Sequence, residues 1–327
     1  MKKFIIITTI NHKSKAITRF ENRKDWNIVV VGDKKSPFIP SSSNLTFLPV
    51  ETQLELNFKF AQICPYNHYS RKNIGYLYAL RQGAEIIYDT DDDNIPYDHW
   101  KLPDFSCGNC INGEGGRFIN IYRHFSDEFT WPRGFPLDEI KNSQNCCYSI
   151  DQNQIANIGI WQGLSDNEPD IDAIYRLIIG EKITFRKGQP VYLPRGSFCP
   201  INSQNTFWHK KAFPYLYLPA GISFRFTDIL RGYIAQFLLW RQGLQVGVNG
   251  PTVYQERNPH DLMKDFHDEI GSYLQVKRVV EILENLELGD VPLENLRKTY
   301  EALHKDSIVP MDELKYLDAW LEDFEGR

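Results

Sequence analysis

Three short apolar runs, rich in isoleucine and valine, constrain the fold most. They are Phe4–Thr9, Asn27-Ile-Val-Val-Val-Gly-Asp33 and Glu85–Tyr88. Each lacks the alternation of a half-buried strand, so each needs cover on both faces. Thr46–Val50 reads as a further short strand. Between them, Ser70–Gly83 reads as a helix: Ser70 caps it, Ile74, Leu77 and Tyr78 share a face, and Gly83 ends it. Strands alternating with helices imply an α/β fold on a mostly parallel, twisted sheet. Ligands of such sheets sit beyond the carboxyl ends of the strands. Thr8, Asn11 and Asp33 lie at that edge.

The third strand runs straight into Asp89, Asp91, Asp92 and Asp93. Four carboxylates in five positions repel one another and call for a cation. Side chains two apart on a strand point the same way, so Asp89 and Asp91 are expected to converge on one ion. A hard divalent ion, Mn2+ or Mg2+, sharing carboxylates with a diphosphate suits the pattern. A calcium loop starting at Asp89 fails, because its sixth and twelfth positions are Asn94 and Trp100 rather than Gly and Glu. The bland alternative is a solvated acidic loop.

The chain has 327 residues and a net charge of -5, which argues against a nucleic-acid binder. No apolar run approaches the ~20 residues that span a bilayer, although peripheral membrane association fits as well. The apolar start reads as a buried first strand rather than a signal peptide, which makes the cytoplasm the expected location. The cysteines read as buried thiols, because Cys146-Cys147 makes a poor second half for a zinc site with Cys107 and Cys110.

Other candidates carry two readings each. Arg71 and Lys72 open the Ser70 helix and suit a diphosphate, or merely offset the acids. Asp33 is a ribose or base acceptor, or a turn residue. Asp228 is a general base for an acceptor hydroxyl, or a first-turn acid, with Arg225 and Arg231 beside it for phosphate or acceptor. His260 is a further metal ligand or a structural histidine. Residues 101–168 read as irregular active-site loops. Beyond about 260 the pattern is helical and charged, so residues 1–260 read as the catalytic domain and 261–327 as a helical extension.

Taken in order, several segments resemble one family. Lys72-Asn73-Ile74-Gly75, Tyr88-Asp89-Thr90-Asp91-Asp92-Asp93-Asn94 and Trp131-Pro-Arg-Gly-Phe-Pro-Leu137 are similar to segments of the STELLO-like family. So are Gln162-Gly163-Leu164, Pro169–Arg176, Pro200–Thr206, Asp228–Tyr233 and Gln255–His260. The resemblance covers about residues 1–270. It implies a GT-A-type sheet flanked by helices, a nucleotide-sugar donor and an Asp-any-Asp metal motif. On that pattern Asp89 touches ribose or metal, Asp91 binds the metal, Asp92 and Asp93 are adjacent alternatives, and Asp228 stands at the base position of inverting enzymes. Plant members carry this domain behind a membrane anchor and are associated with cellulose synthesis; this chain is nearly all domain.

The expectation is therefore sugar transfer from a nucleotide diphosphate sugar to a glycan or other hydroxyl acceptor, with inversion, and a place in polysaccharide biosynthesis. Thr8, Asn11, Asp33, Arg71 and Lys72 are assigned to the donor. Loops carrying Trp131, Arg133 and Trp161 would cover donor and acceptor, with Asp170, Asp172 and Arg231 on the acceptor side. A nucleotide-sugar mutase and a non-catalytic scaffold are the alternatives.

Overall fold

The computed structural model describes residues 1–113, 116–144, 148–258 and 261–326. One mixed sheet runs through them. Its parallel half comprises β1 (Lys3–Thr8), β2 (Asn27–Val31), β3 (Leu45–Leu48) and β4 (Ile86–Thr90), ordered β3-β2-β1-β4. Thr8 pairs with Val31 and Ile6 with Asp89, which brings the carboxyl ends of β1, β2 and β4 to one edge.

The two-residue alternation divides these apolar strands between two cores. Ile6, Val29, Val31 and Ile87 face the core that takes in Ile74 and Leu77 of the helix Lys72–Arg81. Ile5, Ile7, Val30 and Tyr88 face a second core with Phe20, Trp26 and Trp100. The helix begins after a tight turn at Tyr69–Arg71, where the His68 ring accepts from the Ser70 amide, and Gly83 follows it at φ +79. Only glycine adopts that left-handed turn at no steric cost.

Beyond β4 the sheet becomes mixed. Asn205–His209 runs antiparallel to β4, with Thr206 opposite Asp89, and antiparallel to Ala156–Asp166. Leu244–Gln255 then runs parallel to Ala156–Asp166. Ala156–Asp166 falls inside the stretch expected to be irregular loop; it is an 11-residue strand.

The helix Thr227–Leu239 is buried on nearly every face. Against it lie Leu262–Glu284 and Pro292–Lys305, and Met311–Glu325 packs on Pro292–Lys305 and on the helices Lys59–Ile63 and Lys72–Arg81. Their apolar stripes, including Val279, Leu283, Leu303 and Trp320, join the same core as Ile229 and Leu230. Fully buried Glu313 accepts from the Tyr217 hydroxyl at 2.5 Å and the Gly221 amide at 2.6 Å. No helix among the described residues is long and apolar enough to cross a membrane. Cys64, Cys107, Cys110 and Cys199 are free thiols; Cys146 and Cys147 lie outside the described residues.

Candidate active site

A cavity of about 620 Å³ opens at the carboxyl edge of the parallel strands. Thr8, Asn11 and Asp33 line it from β1 and β2, and Asp91, Asp92 and Asp93 from the turn after β4. Arg71, Arg133, Asp170 and Asp228 line it too. These residues come from widely separated strand ends, loops and the helix Thr227–Leu239, which the fold brings together.

Asp89 is not in the lining. It is fully buried below it, with Oδ1 2.7 Å from Lys72 Nζ and Oδ2 2.9 Å from Arg231 Nη2. Arg231 also donates to Ser203 Oγ at 2.7 Å and to the Tyr76 hydroxyl at 3.1 Å, and lies over the Trp208 ring. Both charges are thus spent on each other and on neighbours. A fully buried carboxylate at the centre of a sheet needs such partners. Asp89, expected as a donor or metal ligand, and Arg231, expected on the acceptor side, thus both lie beneath the lining rather than in it.

Lys72 links this floor to the rim above it. Its Nζ also contacts Asp91 Oδ1 at 3.1 Å and the Thr90 carbonyl at 2.7 Å. Asp91 Oδ1 accepts from the Tyr69 hydroxyl at 2.5 Å as well. Burial pushes the Asp91 carboxyl up, against the pull of Lys72. Lys72 is therefore a prop under the acidic rim rather than a residue of the lining.

The two neighbouring acids part company. Asp92 Oδ2 accepts from the Thr9 hydroxyl and, at 3.1 Å, from Asn11 Nδ2. Asp93 Oδ2 accepts from Gln255 Nε2 at 2.9 Å. Burial, then the charges of Asp91 and Asp92, push the Asp93 carboxyl up to about 7. That rise marks a site short of positive charge. Asp33 accepts from the Asn67 amide at 2.6 Å, and Arg71 is turned to the Cys64 carbonyl and Gln53. His260 lies outside the described residues.

The opposite wall is built on Arg133. Its Nε and Nη2 hold Asp170 at 2.7 and 2.9 Å, and Nη2 meets both oxygens of Asp228 at 3.1 and 2.9 Å. Burial opposes ionisation of Asp228. Arg133, Arg231 and the Ser203 amide outweigh it and hold the carboxyl below its usual range. Gly134 follows at φ +83, where a Cβ would meet Ile229 Cγ2 at 2.4 Å, so the turn that aims Arg133 requires glycine.

Besides Arg231, three acceptor-side expectations fall outside the cavity: Trp161, Trp131 and Asp172. Trp161 sits in the Ala156–Asp166 strand, buried, with its indole N–H on the Asp104 carbonyl at 2.8 Å. Trp131 is buried and donates at 2.6 Å to Asp172, which caps the helix Ala173–Ile178. A cap and an indole that satisfy each other have a structural role. Conversely, Tyr69, Arg176, Gln204, Gln255 and Arg257 line the cavity without having been assigned to it. Arg176, Gln204, Gln255 and Arg257 stand in the segments that carry the family resemblance, which is the signal that could have found them.

The family profile described as STELLO glycosyltransferases matches residues 225–326. The chain is 32% identical over 304 residues to the probable glycosyltransferase STELLO2 of Arabidopsis thaliana, covering 84% of this chain and 39% of that protein. It is 28% identical over 348 residues to STELLO1 of the same plant, covering 98% and 44%. The chain thus spans about two fifths of the length of these curated relatives. Among solved structures, a glucosyl-3-phosphoglycerate synthase from Mycobacterium tuberculosis superposes with a TM-score of 0.37 at 10% identity, over 86% of this chain and 78% of its own. The chain belongs to the STELLO-like glycosyltransferase family.

Proposed function

We propose that this chain transfers a sugar from a nucleoside diphosphate sugar to a hydroxyl acceptor inside the cavity. The observation that supports this most is the pairing of Asp91 and Asp93 on one rim, both pushed up by burial, beside Asp33 and Asn11 at the ends of β1 and β2. The latter two suit ribose and base; the former two suit a hard cation.

Among the described residues no three His, Cys, Asp or Glu side chains could hold a metal ion by themselves. The rim still fits one, because magnesium sites in nucleotide enzymes use one or two carboxylates and fill the rest with phosphate oxygens and water. In this reading Asp91 and Asp93 hold Mn2+ or Mg2+, and Asp92 keeps Thr9 and Asn11 in place. A bound cation supplies charge neutralisation for the departing diphosphate.

The acceptor hydroxyl oxygen forms a bond to the anomeric carbon. The bond from that carbon to the β-phosphate oxygen breaks, its electron pair leaves with the nucleoside diphosphate, and the hydroxyl proton passes to solvent or a base. The geometry gives Asp228 little support as that base. Both its oxygens lie on Arg133, and a carboxyl held below its usual range is a weak proton acceptor. We read Asp228 as the residue that positions Arg133. Inversion then lacks its sequence argument, and the product's anomeric signal decides it.

The cytoplasm remains the proposed location and polysaccharide synthesis the proposed setting. Product analysis tests the function. Nucleotide sugars incubated with manganese and hydroxyl acceptors should release nucleoside diphosphate together with glycosylated acceptor, and Asp91→Ala should abolish both. An isomerised nucleotide sugar would identify a mutase. Binding without turnover would identify a scaffold.

A further inference from the structure

The cavity lining carries more guanidinium than the acids behind it use. Arg176, Arg225 and Arg257 all line the cavity, and all come from the second half of the fold. Each is anchored on one side. Arg176 holds Glu168 and the Pro169 carbonyl at 2.8 Å. Arg225 meets fully buried Glu269 through Nε and Nη2 at 2.9 and 2.6 Å. Arg257 meets buried Asp265 through Nη2 at 2.6 Å. Glu168, Glu269 and Asp265 are absent from the lining, so the anchoring acids stand behind the arginines.

The remaining donors have no such use. Arg176 Nε is buried without a hydrogen-bond partner among the described residues. The anchoring bonds of Arg225 and Arg257 leave Arg225 Nη1 and Arg257 Nε and Nη1 outside them. A buried N–H left unpaired is costly, and guanidinium forks match phosphate and carboxylate oxygens. The three cations also crowd one another. Burial, then Arg176 and Arg225, lower the Arg257 side chain to about 10. A guanidinium disturbed by its own kind is a site that favours an anion.

In the proposed reading the donor's diphosphate is held at Asp91 and Asp93 through a cation, so these guanidiniums are not needed for it. We infer that the arginine wall holds a second anionic group, so that the acceptor is a hydroxyl compound carrying a phosphate or carboxylate. This rests on the reading of the cavity as a sugar-transfer site. Fixing the anion on Arg176, Arg225 and Arg257 would turn the acceptor hydroxyl towards the donor and would discriminate against neutral glycans, because neutral hydroxyls leave the guanidiniums unpaired.

Isothermal titration of the full chain with inorganic phosphate tests this. The titration is made alone, then with manganese and each common nucleoside diphosphate at saturation, with acetate titrated in parallel. Phosphate or acetate should bind in both states with its affinity changed less than about twofold. Arg176→Gln and Arg257→Gln should each weaken that binding by roughly tenfold, the size of one charge-assisted hydrogen bond, and leave nucleoside diphosphate affinity in place. Preference for phosphate marks a phosphorylated acceptor and preference for acetate a carboxylated one; both support the inference. Displacement of phosphate by the nucleoside diphosphate would overturn it, by giving the arginines to the donor. Absence of binding by both anions, or indifference to both substitutions, would overturn it too. If no nucleoside diphosphate binds while phosphate still does, the transfer reading falls and the anion site stands alone. Should a glutamine variant fail to fold, competition on the unaltered chain still decides.

Discussion

Asp89 and Arg231 meet at 2.9 Å beneath the cavity, joining the end of β4 to the long buried helix, and the same Asp89 holds Lys72 at 2.7 Å. This pair supports the rim without belonging to it. Breaking it leaves a buried charge uncompensated, which costs about 3–5 kcal/mol. Asp89→Ala and Arg231→Met should each lower the unfolding free energy by that order, read as a lower urea midpoint, with activity lost only as the folded fraction falls. If Asp89→Ala abolished activity at unchanged stability, Asp89 would be a ligand after all.

Asp93 makes a pH-dependent contribution of known sign. Its carboxyl moves from 3.8 to about 7 on folding, so the folded chain binds this proton more tightly than the unfolded one. Stability from this group is complete below about pH 4, falls as pH rises towards 7, and is level above it. A cation on the rim reverses the loss. Manganese should therefore raise the melting temperature more at about pH 8 than at about pH 5.5, and Asp93→Asn should remove both effects. Equal manganese shifts at the two pH values would contradict the assignment.

Much of this was legible in the sequence, and the failures have physical causes. Continuous apolar runs announced β1, β2 and β4, and the acids after Tyr88 announced the rim. The register of the acids was hidden. Alternation on β4 sends Asp89 into the interior, and its justification, Arg231, is remote in sequence and visible only once the sheet brings the two together. Trp161 was misplaced because glycines at 159 and 163 break up an otherwise strand-like run. In the fold those glycines admit Leu239 and Asn205 side chains, whose atoms would lie 2.7 and 2.4 Å from an added Cβ. Lys72 stands beneath the acidic rim at a depth that sequence does not reveal, since sequence shows charge but not burial.

Gly134 offers a test of how Arg133 is aimed. Gly134→Ala places a Cβ on Ile229 in a backbone region that side chains avoid. Overpacking and strain of this kind cost about 1–3 kcal/mol. Both the unfolding midpoint and the affinity for phosphate should fall, because Arg133 ties Asp170 and Asp228 into one wall. Unchanged anion affinity would show that the wall does not depend on that turn.

Glu313 ties the last helix to the segment before Asp228. Glu313→Ala leaves the Tyr217 hydroxyl and the Ala220 and Gly221 amides unpaired in the interior. The cost should be about 1–3 kcal/mol in denaturant unfolding, for each unsatisfied group at most. A neutral result would mean that the C-terminal helices contribute little to the core they cover.

The central claim is that Asp91 and Asp93 grip a divalent ion that in turn grips a diphosphate. Calorimetric titration of nucleoside diphosphates, with manganese and with chelator, measures that most directly. The account predicts binding with manganese only, weakened at least about tenfold in Asp91→Asn and in Asp93→Asn. Equal affinity in chelator, or full affinity in both variants, would contradict it.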